Sequence, residues 1–145
     1  MKKTIGDTKK YNMADALDKL IVDEKESLDT ELLAKLVQGY LRFTKEGEII
    51  FEREFSNLKD YQKVMVYLLG RKVVFVKKLK QNFKEEVSYK DISKLFGIKE
   101  PSVRKYASLE LKGIIRTKGG NYEIPNFNLS KCEGILRKQN AGSSK

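Results

Sequence analysis

The sequence predicts an α+β fold, mostly α, on three observations. Apolar residues recur at helical spacing in several separate stretches, two short alternating stretches each turn on glycine, and residues 88 to 124 join two short capped helices to a hairpin. With 145 residues, 40% of them hydrophobic and 34% charged, the chain can bury one core beneath a lysine-rich surface.

Residues 1 to 12 carry charge without an apolar run, which predicts a disordered basic start rather than a secretion signal. Residues 13 to 22 and 29 to 39 have the spacing of amphipathic helices. Asp29 can cap the second, whose apolar side holds Leu32, Leu33, Leu36 and Val37. Around Lys45-Glu46-Gly47, Tyr40 to Thr44 and Glu48 to Phe55 alternate as strands do, with Ile49, Phe51 and Phe55 on one face and Glu48, Glu52 and Glu54 on the other. Residues 13 to 56 are thus expected to form a packing or dimerisation unit. From Leu58 to about Leu79 a long helix follows, with Tyr61, Val64, Met65, Leu68, Phe75, Val76 and Leu79 in a stripe that Lys72 interrupts. A second apolar set on it, Tyr67, Leu69, Val73 and Val74, exceeds what one neighbouring helix covers. Either the N-terminal unit folds back over that set or a homodimer buries it.

Ser88, with Asp91 three residues on, can cap a helix that starts at Tyr89 and buries Ile92, Leu95 and Phe96. Gly97 ends it, Pro101 suits the first turn of the next helix, and Gly113 stops that one. Gly119-Gly120 turns a hairpin whose return strand holds Tyr122 and Ile124. Ser130 and Glu133 form a capping-box pattern for a last helix to about Lys138, and residues 141 to 145 read as a disordered tail. Cys132, the single cysteine, shares helical spacing with Leu129, Ile135 and Leu136 and reads as a small core residue.

Ile92, Ser93, Gly97, Ile98 and Val103, followed by Gly113-Ile114-Ile115-Arg116 and Gly119-Gly120, resemble the winged helix-turn-helix family of DNA-binding domains over about a quarter of the chain. Ala107 and Glu110 depart from the larger apolar residues usual there. The resemblance implies a winged helix-turn-helix domain at 57 to 140, extended by the N-terminal helices and hairpin and by the short C-terminal helix. It also implies a recognition helix at 101 to 112 in the major groove and a wing at 114 to 124 on the DNA backbone. On a helical wheel Val103, Tyr106, Ala107 and Leu111 share one arc, opposite Pro101, Arg104, Lys105, Ser108 and Lys112. Glu110 falls on the apolar arc, which demands either a cation partner or an earlier helix end. The expected DNA-binding residues are Ser102, Arg104, Lys105, Ser108 and Lys112 on the helix, Arg116, Lys118 and Asn121 in the wing, and Lys90 on the preceding helix. Without that setting, adjacent Arg104 and Lys105 would read as an ordinary solvated helix face.

Charge distribution points to the same partner. Residues 1 to 60 carry 11 Lys and Arg against 13 Asp and Glu, a balance of −2, whereas residues 61 to 145 carry 19 against 7, a balance of +12. A phosphate backbone attracts such a surface whatever its base sequence. Lys77, Lys78, Lys80 and Lys84 could add phosphate contacts or merely complement a helix C-terminus. The longest apolar run, Val64 to Gly70, is too short to span a bilayer, and a cytoplasmic protein without membrane contact is expected.

No histidine is present, which removes Ser-His and Cys-His nucleophile pairs and most zinc sites. Gly119-Gly120 lacks the lysine of a phosphate-cradling loop. Neither catalysis nor a cofactor or metal is expected. The reading is therefore a sequence-specific double-stranded DNA-binding protein, a transcriptional regulator of archaeal or bacterial type. Competing with it are a protein-docking or RNA-binding module within a larger complex and, behind these, a metal-dependent nuclease using Glu46, Glu48, Glu52 and Glu54.

Overall fold

The computed structural model describes residues 16–21 and 28–143, with side chains up to residue 137. The basic start at 1 to 12, parts of the helix expected at 13 to 22 and the last two residues lie outside this set. Of that first helix a single turn stands at residues 16–18, and Leu17, Leu20 and Ile21 beside it are exposed.

Asp29 caps helix α1 (Thr30–Val37), its Oδ1 accepting from the Leu32 amide at 3.0 Å. Leu33, Leu36 and Val37 are buried. The hairpin follows as β1 (Leu41–Phe43) and β2 (Ile49–Phe51), paired antiparallel with Leu41 opposite Phe51. Its second strand is shorter than the alternation predicted: the chain turns into a 3-10 helix at Arg53–Asn57, and Phe55 is buried from there. Phe55 still reaches Phe51, ring centroids 4.7 Å apart.

Helix α2 (Asp60–Val76) is the centre of the fold. Val64, Met65, Val66, Leu68, Leu69 and Val74 on it are completely or almost completely buried, so it is covered from several sides. Of the apolar surplus on this helix, Leu69 and Val74 are fully buried, while Tyr67 and Val73 are half-buried. The hairpin lies over Gly70, where a Cβ would come 2.6 Å from Leu41 Cδ1, Val73 faces α1 and β1, and Tyr67 packs against Phe51 and Phe96. Two residues of the predicted stripe, Phe75 and Val76, are exposed instead. The helix also stops three residues before Leu79: Lys78 adopts φ 54° and the Leu79 amide returns to the Val74 carbonyl, a left-handed cap made without glycine.

Lys72, the interruption in the stripe, is 2% exposed and held by Glu85 at 2.6 Å and Asn126 Oδ1 at 2.7 Å. Burial raises the Glu85 carboxyl above its ordinary range, and Lys72 works against that rise. Arg71 fixes the basic loop by donating to the carbonyls of Lys84, Glu85 and Glu86 while its guanidinium lies 4.5 Å from the Phe83 ring centroid.

Ser88 caps α3 (Tyr89–Phe96) as expected, accepting from the Asp91 amide at 3.0 Å, and Gly97 ends it at φ 67°. Ile92 is fully buried, but Leu95, expected beside it, is 48% exposed. Helix α4 (Glu100–Ser108) ends four residues before the predicted Lys112. At Leu109 the backbone leaves helical geometry and the Leu111 amide reaches the Tyr106 carbonyl at 2.8 Å, which carries Leu111 into the core. Glu110 therefore lies past the helix and is exposed, which resolves its misfit on the wheel.

The wing is narrower than 114 to 124: β4 (Arg116–Lys118) and β5 (Asn121–Glu123) pair antiparallel around Gly119-Gly120. A strand not foreseen, β3 (Val87–Ser88), pairs with β5 to give the order β3-β5-β4. A 3-10 turn at Asn126–Asn128 leads into α5 (Leu129–Ser143), so Ser130 lies inside the helix and is not its cap. The backbone is helical past Lys138 and through most of the stretch expected as tail. Glu133 pairs with Lys35 at 3.0 Å, and Gln62 Nε2 donates to the Ile135 carbonyl at 2.9 Å, joining α5 to α1 and α2. Cys132 is fully buried as expected, its thiol pushed up to about 12 by that burial. The whole is α+β, about half helical, with small antiparallel sheets, and is compatible with a winged helix.

Candidate nucleic-acid interface

Helix α4 is oriented by what it buries. Val103 is fully buried, Tyr106 and Ala107 are half-buried, and Tyr106 sits 6.2 Å from the Tyr61 ring on α2. This fixes the opposite arc, Pro101, Arg104, Lys105 and Ser108, in solvent. Ser102 is half-buried at the helix start.

Between this arc and the wing runs a groove of about 450 Å³, lined among others by Arg104, Ser108, Lys112, Thr117 and Tyr89. It brings together residues from four elements, α3, α4, β4 and β5. Strand parity decides which wing residues take part. Thr117 and Tyr122 face each other across β4 and β5 on the groove side. Arg116 and Asn121 point to the other face of the sheet. There Arg116 binds Glu123 Oε2 through Nε at 3.0 Å and Nη2 at 2.9 Å, and Asn121 adjoins Arg71 and Glu86. Of the expected set, then, Arg104, Ser108 and Lys112 share the groove, Lys105 borders it in solvent on the same arc, and Arg116 and Asn121 do not belong to it. By the same parity Lys118, paired with Asn121, also faces away from the groove and is exposed beside the wing turn, and Lys90 is exposed on α3.

Tyr89 was not among the expected residues. The Arg104 guanidinium carbon lies 5.2 Å from its ring centroid, within cation–π range. From the other side the wing closes on it: its amide donates to the Gly120 carbonyl at 3.0 Å, and a Cβ on Gly120 would lie 3.3 Å from the ring. Gly120 has φ 86°, so the turn itself needs glycine. Tyr122 lies 6.2 Å from the same ring, its hydroxyl pKa raised chiefly by burial, with Arg104 pulling it down. The only sequence signal for Tyr89 was an aromatic in the first turn of the first short helix. Lys131 is a second residue missed: its Nζ reaches the Gly113 carbonyl, 3.2 Å away, beside the groove.

No family model, curated protein or solved structure matches this chain. What the groove can do is therefore read from its own residues. Arg104, Lys112 and Lys131 supply positive charge, and Ser108 and Thr117 supply hydroxyls that can donate or accept. Three of the four glutamates of the first hairpin have separate partners and the fourth, Glu46, is exposed: Glu48 faces Lys80, Glu52 holds Arg42 at 2.8 Å, and Glu54 accepts from Asn57. Among the described residues no three acidic or cysteine side chains gather as metal ligands. Among the same residues no helix is long and apolar enough to cross a membrane.

Proposed function

We propose that this chain is a sequence-specific double-stranded DNA-binding protein, a transcriptional regulator, that lays α4 in the major groove and sets the β4–β5 wing against the backbone. The observation that carries the reading is the exposed arc of Arg104, Lys105 and Ser108, which continues into a groove walled by Lys112 and the wing. It lies in the part of the chain whose charge balance is +12. An exposed helix face of short polar and basic residues lets a duplex approach closely, and Arg104 has the fork geometry that reads guanine. Lys105, Lys112, Lys118 and Lys131 supply phosphate contacts, which position the protein without selecting sequence. Arg116 and Asn121 play no part in base reading on this geometry. A gel shift of the purified protein against fragments of its own upstream region, with random duplex as competitor, tests the proposal. A fragment retained under competition is expected. Failure to bind any duplex even at low salt would dismiss it.

A further inference from the structure

The strand parity that turns Thr117 and Tyr122 toward the groove of α4 turns Arg116 and Glu123 to the opposite face of the sheet. On that face a cleft of about 700 Å³ lies between the sheet and the C-terminal end of α2. Phe75 and Val76 of α2, 48% and 37% exposed, and Pro125 give it apolar walls, and Lys72, Glu85 and Asn126 line it as a polar floor. This floor is not closed on itself. An ammonium carries three N–H donors, and among the described residues Asn126 Oδ1, at 2.7 Å, is the one hydrogen-bond acceptor that Lys72 meets. Glu85 Oε2 faces the ammonium at 2.6 Å as an ion pair but takes no hydrogen bond, and that oxygen is buried. The cleft therefore has an unused donor beside an unused acceptor. Polar groups kept from water without partners are costly, and a buried Lys–Glu pair adds little stability that apolar side chains of the same volume would not. Both points favour a binding role over a purely structural one.

We infer that this cleft binds a small neutral molecule with an apolar body and one head that both donates and accepts, a primary amide or a hydroxyl. The head accepts from Lys72 Nζ and donates to Glu85 Oε2, while the body lies against Phe75 and Val76. A neutral head fits because the charges of the floor and the sheet are already paired, Lys72 with Glu85 and Arg116 with Glu123. A further charge at the floor would be buried without a counter-ion. The one lining cation outside these pairs, Lys78, is exposed. The volume and the mixture of apolar walls with a few convergent polar groups are those of small-molecule sites. No residue lines both this cleft and the groove of α4, so the inference stands apart from DNA binding.

Amide NMR spectra of the full chain without DNA, titrated with benzamide, benzyl alcohol, benzoate or toluene, test it. Benzamide and benzyl alcohol are expected to shift the amides of Lys72, Phe75, Val76, Glu85 and Asn126 saturably, and to bind about tenfold more tightly than toluene, which has no head, or benzoate, which has a charged one. Replacing the pair by apolar side chains, Lys72→Met with Glu85→Leu, is expected to leave a folded protein that no longer prefers benzamide to toluene. Phe75→Ser alters a half-exposed side chain, so its fold is safe, and it is expected to weaken benzamide and toluene alike. Absence of a saturable shift at these residues overturns the inference. So does benzoate binding more tightly than benzamide, which would give the site to Lys78 at the surface. A preference for benzamide that survives in the double variant, or an affinity unmoved by Phe75→Ser, overturns it equally.

Discussion

Tyr89 should matter to DNA discrimination only through Arg104, and a double-mutant cycle can show it. In the free protein the guanidinium carbon stands 5.2 Å from the Tyr89 ring, which Gly120 and Tyr122 hold from behind. An exposed cation–π contact is worth about 0.5–1 kcal/mol, so Tyr89→Leu should reduce the preference for a specific site over random duplex by about two- to fivefold. Arg104→Ala removes the base contact itself and should cost about 1–3 kcal/mol of discrimination. In the Arg104→Ala background Tyr89→Leu should then change discrimination by almost nothing, because the group it aims is gone. Tyr89→Phe keeps the ring and should behave as the parent. The assay is fluorescence anisotropy on a specific and a random duplex for all four combinations, with thermal melts to confirm that each variant is folded. Additive losses would refute the reasoning, since they would mean that Tyr89 acts on DNA, or on stability, without passing through Arg104.

Binding should weaken with salt along a log–log slope of about −0.9 per phosphate contact. Lys118→Ala should lower affinity for every sequence alike and shallow that slope by about one unit, and an affinity indifferent to salt would remove the DNA proposal. Gly70→Ala forces a methyl to 2.6 Å from Leu41 Cδ1, a side chain only 3% exposed. Overpacking of about 1–3 kcal/mol should outweigh the gain of about 1 kcal/mol in helix propensity, so a urea midpoint at or above the parent's would contradict the packing described. Lys72→Met leaves Glu85 buried without its cation and should cost about 3–5 kcal/mol at neutral pH. Because the folded-state pKa of Glu85 is raised, the stability it contributes is present at acid pH and is lost as pH rises through that pKa. Removing Lys72 takes away an opposing influence and raises the pKa further, so the loss should deepen from the ordinary carboxylate range toward neutrality. Adding Glu85→Gln should flatten the slope. Urea midpoints across that pH range decide it, and a Lys72→Met protein whose stability is the same at both ends would count against the buried pair.

What the sequence disclosed was local. Asp29, Ser88 and Gly97 mark helix ends through bonds and dihedrals made within a few residues, and each is found where expected. Features created by distant partners were hidden. Strand β3 is two residues long and exists because β5 arrives 33 or more residues later. The end of α2 could not be read because Lys78 adopts a conformation normally signalled by glycine. Lys72 broke an apolar stripe for want of a visible Glu85 and Asn126. At the site, the exposed arc of α4 was legible because one buried residue, Val103, sets the phase of a short helix. The wing was not, since a strand of three residues gives no means of choosing which alternate faces look inward. The pairing of Thr117 with Tyr122 makes that choice and turns Arg116, Lys118 and Asn121 away from the groove.

Phe96 is the last residue of α3, and the chain swings through Gly97 into α4 four residues later. Its ring is wedged among Phe51, Phe55 and Tyr67 at centroid distances of 5.7, 5.6 and 5.4 Å. The direction in which α4 leaves the fold is thus set from behind, by aromatic rings borne on the first hairpin, the turn after it and the central helix. A helix mounted this way arrives at its target already aimed and surrenders little orientational freedom on contact. The same mount ties the β1–β2 hairpin to the start of α4, because Phe51 meets Phe96 one residue before the Gly97 turn.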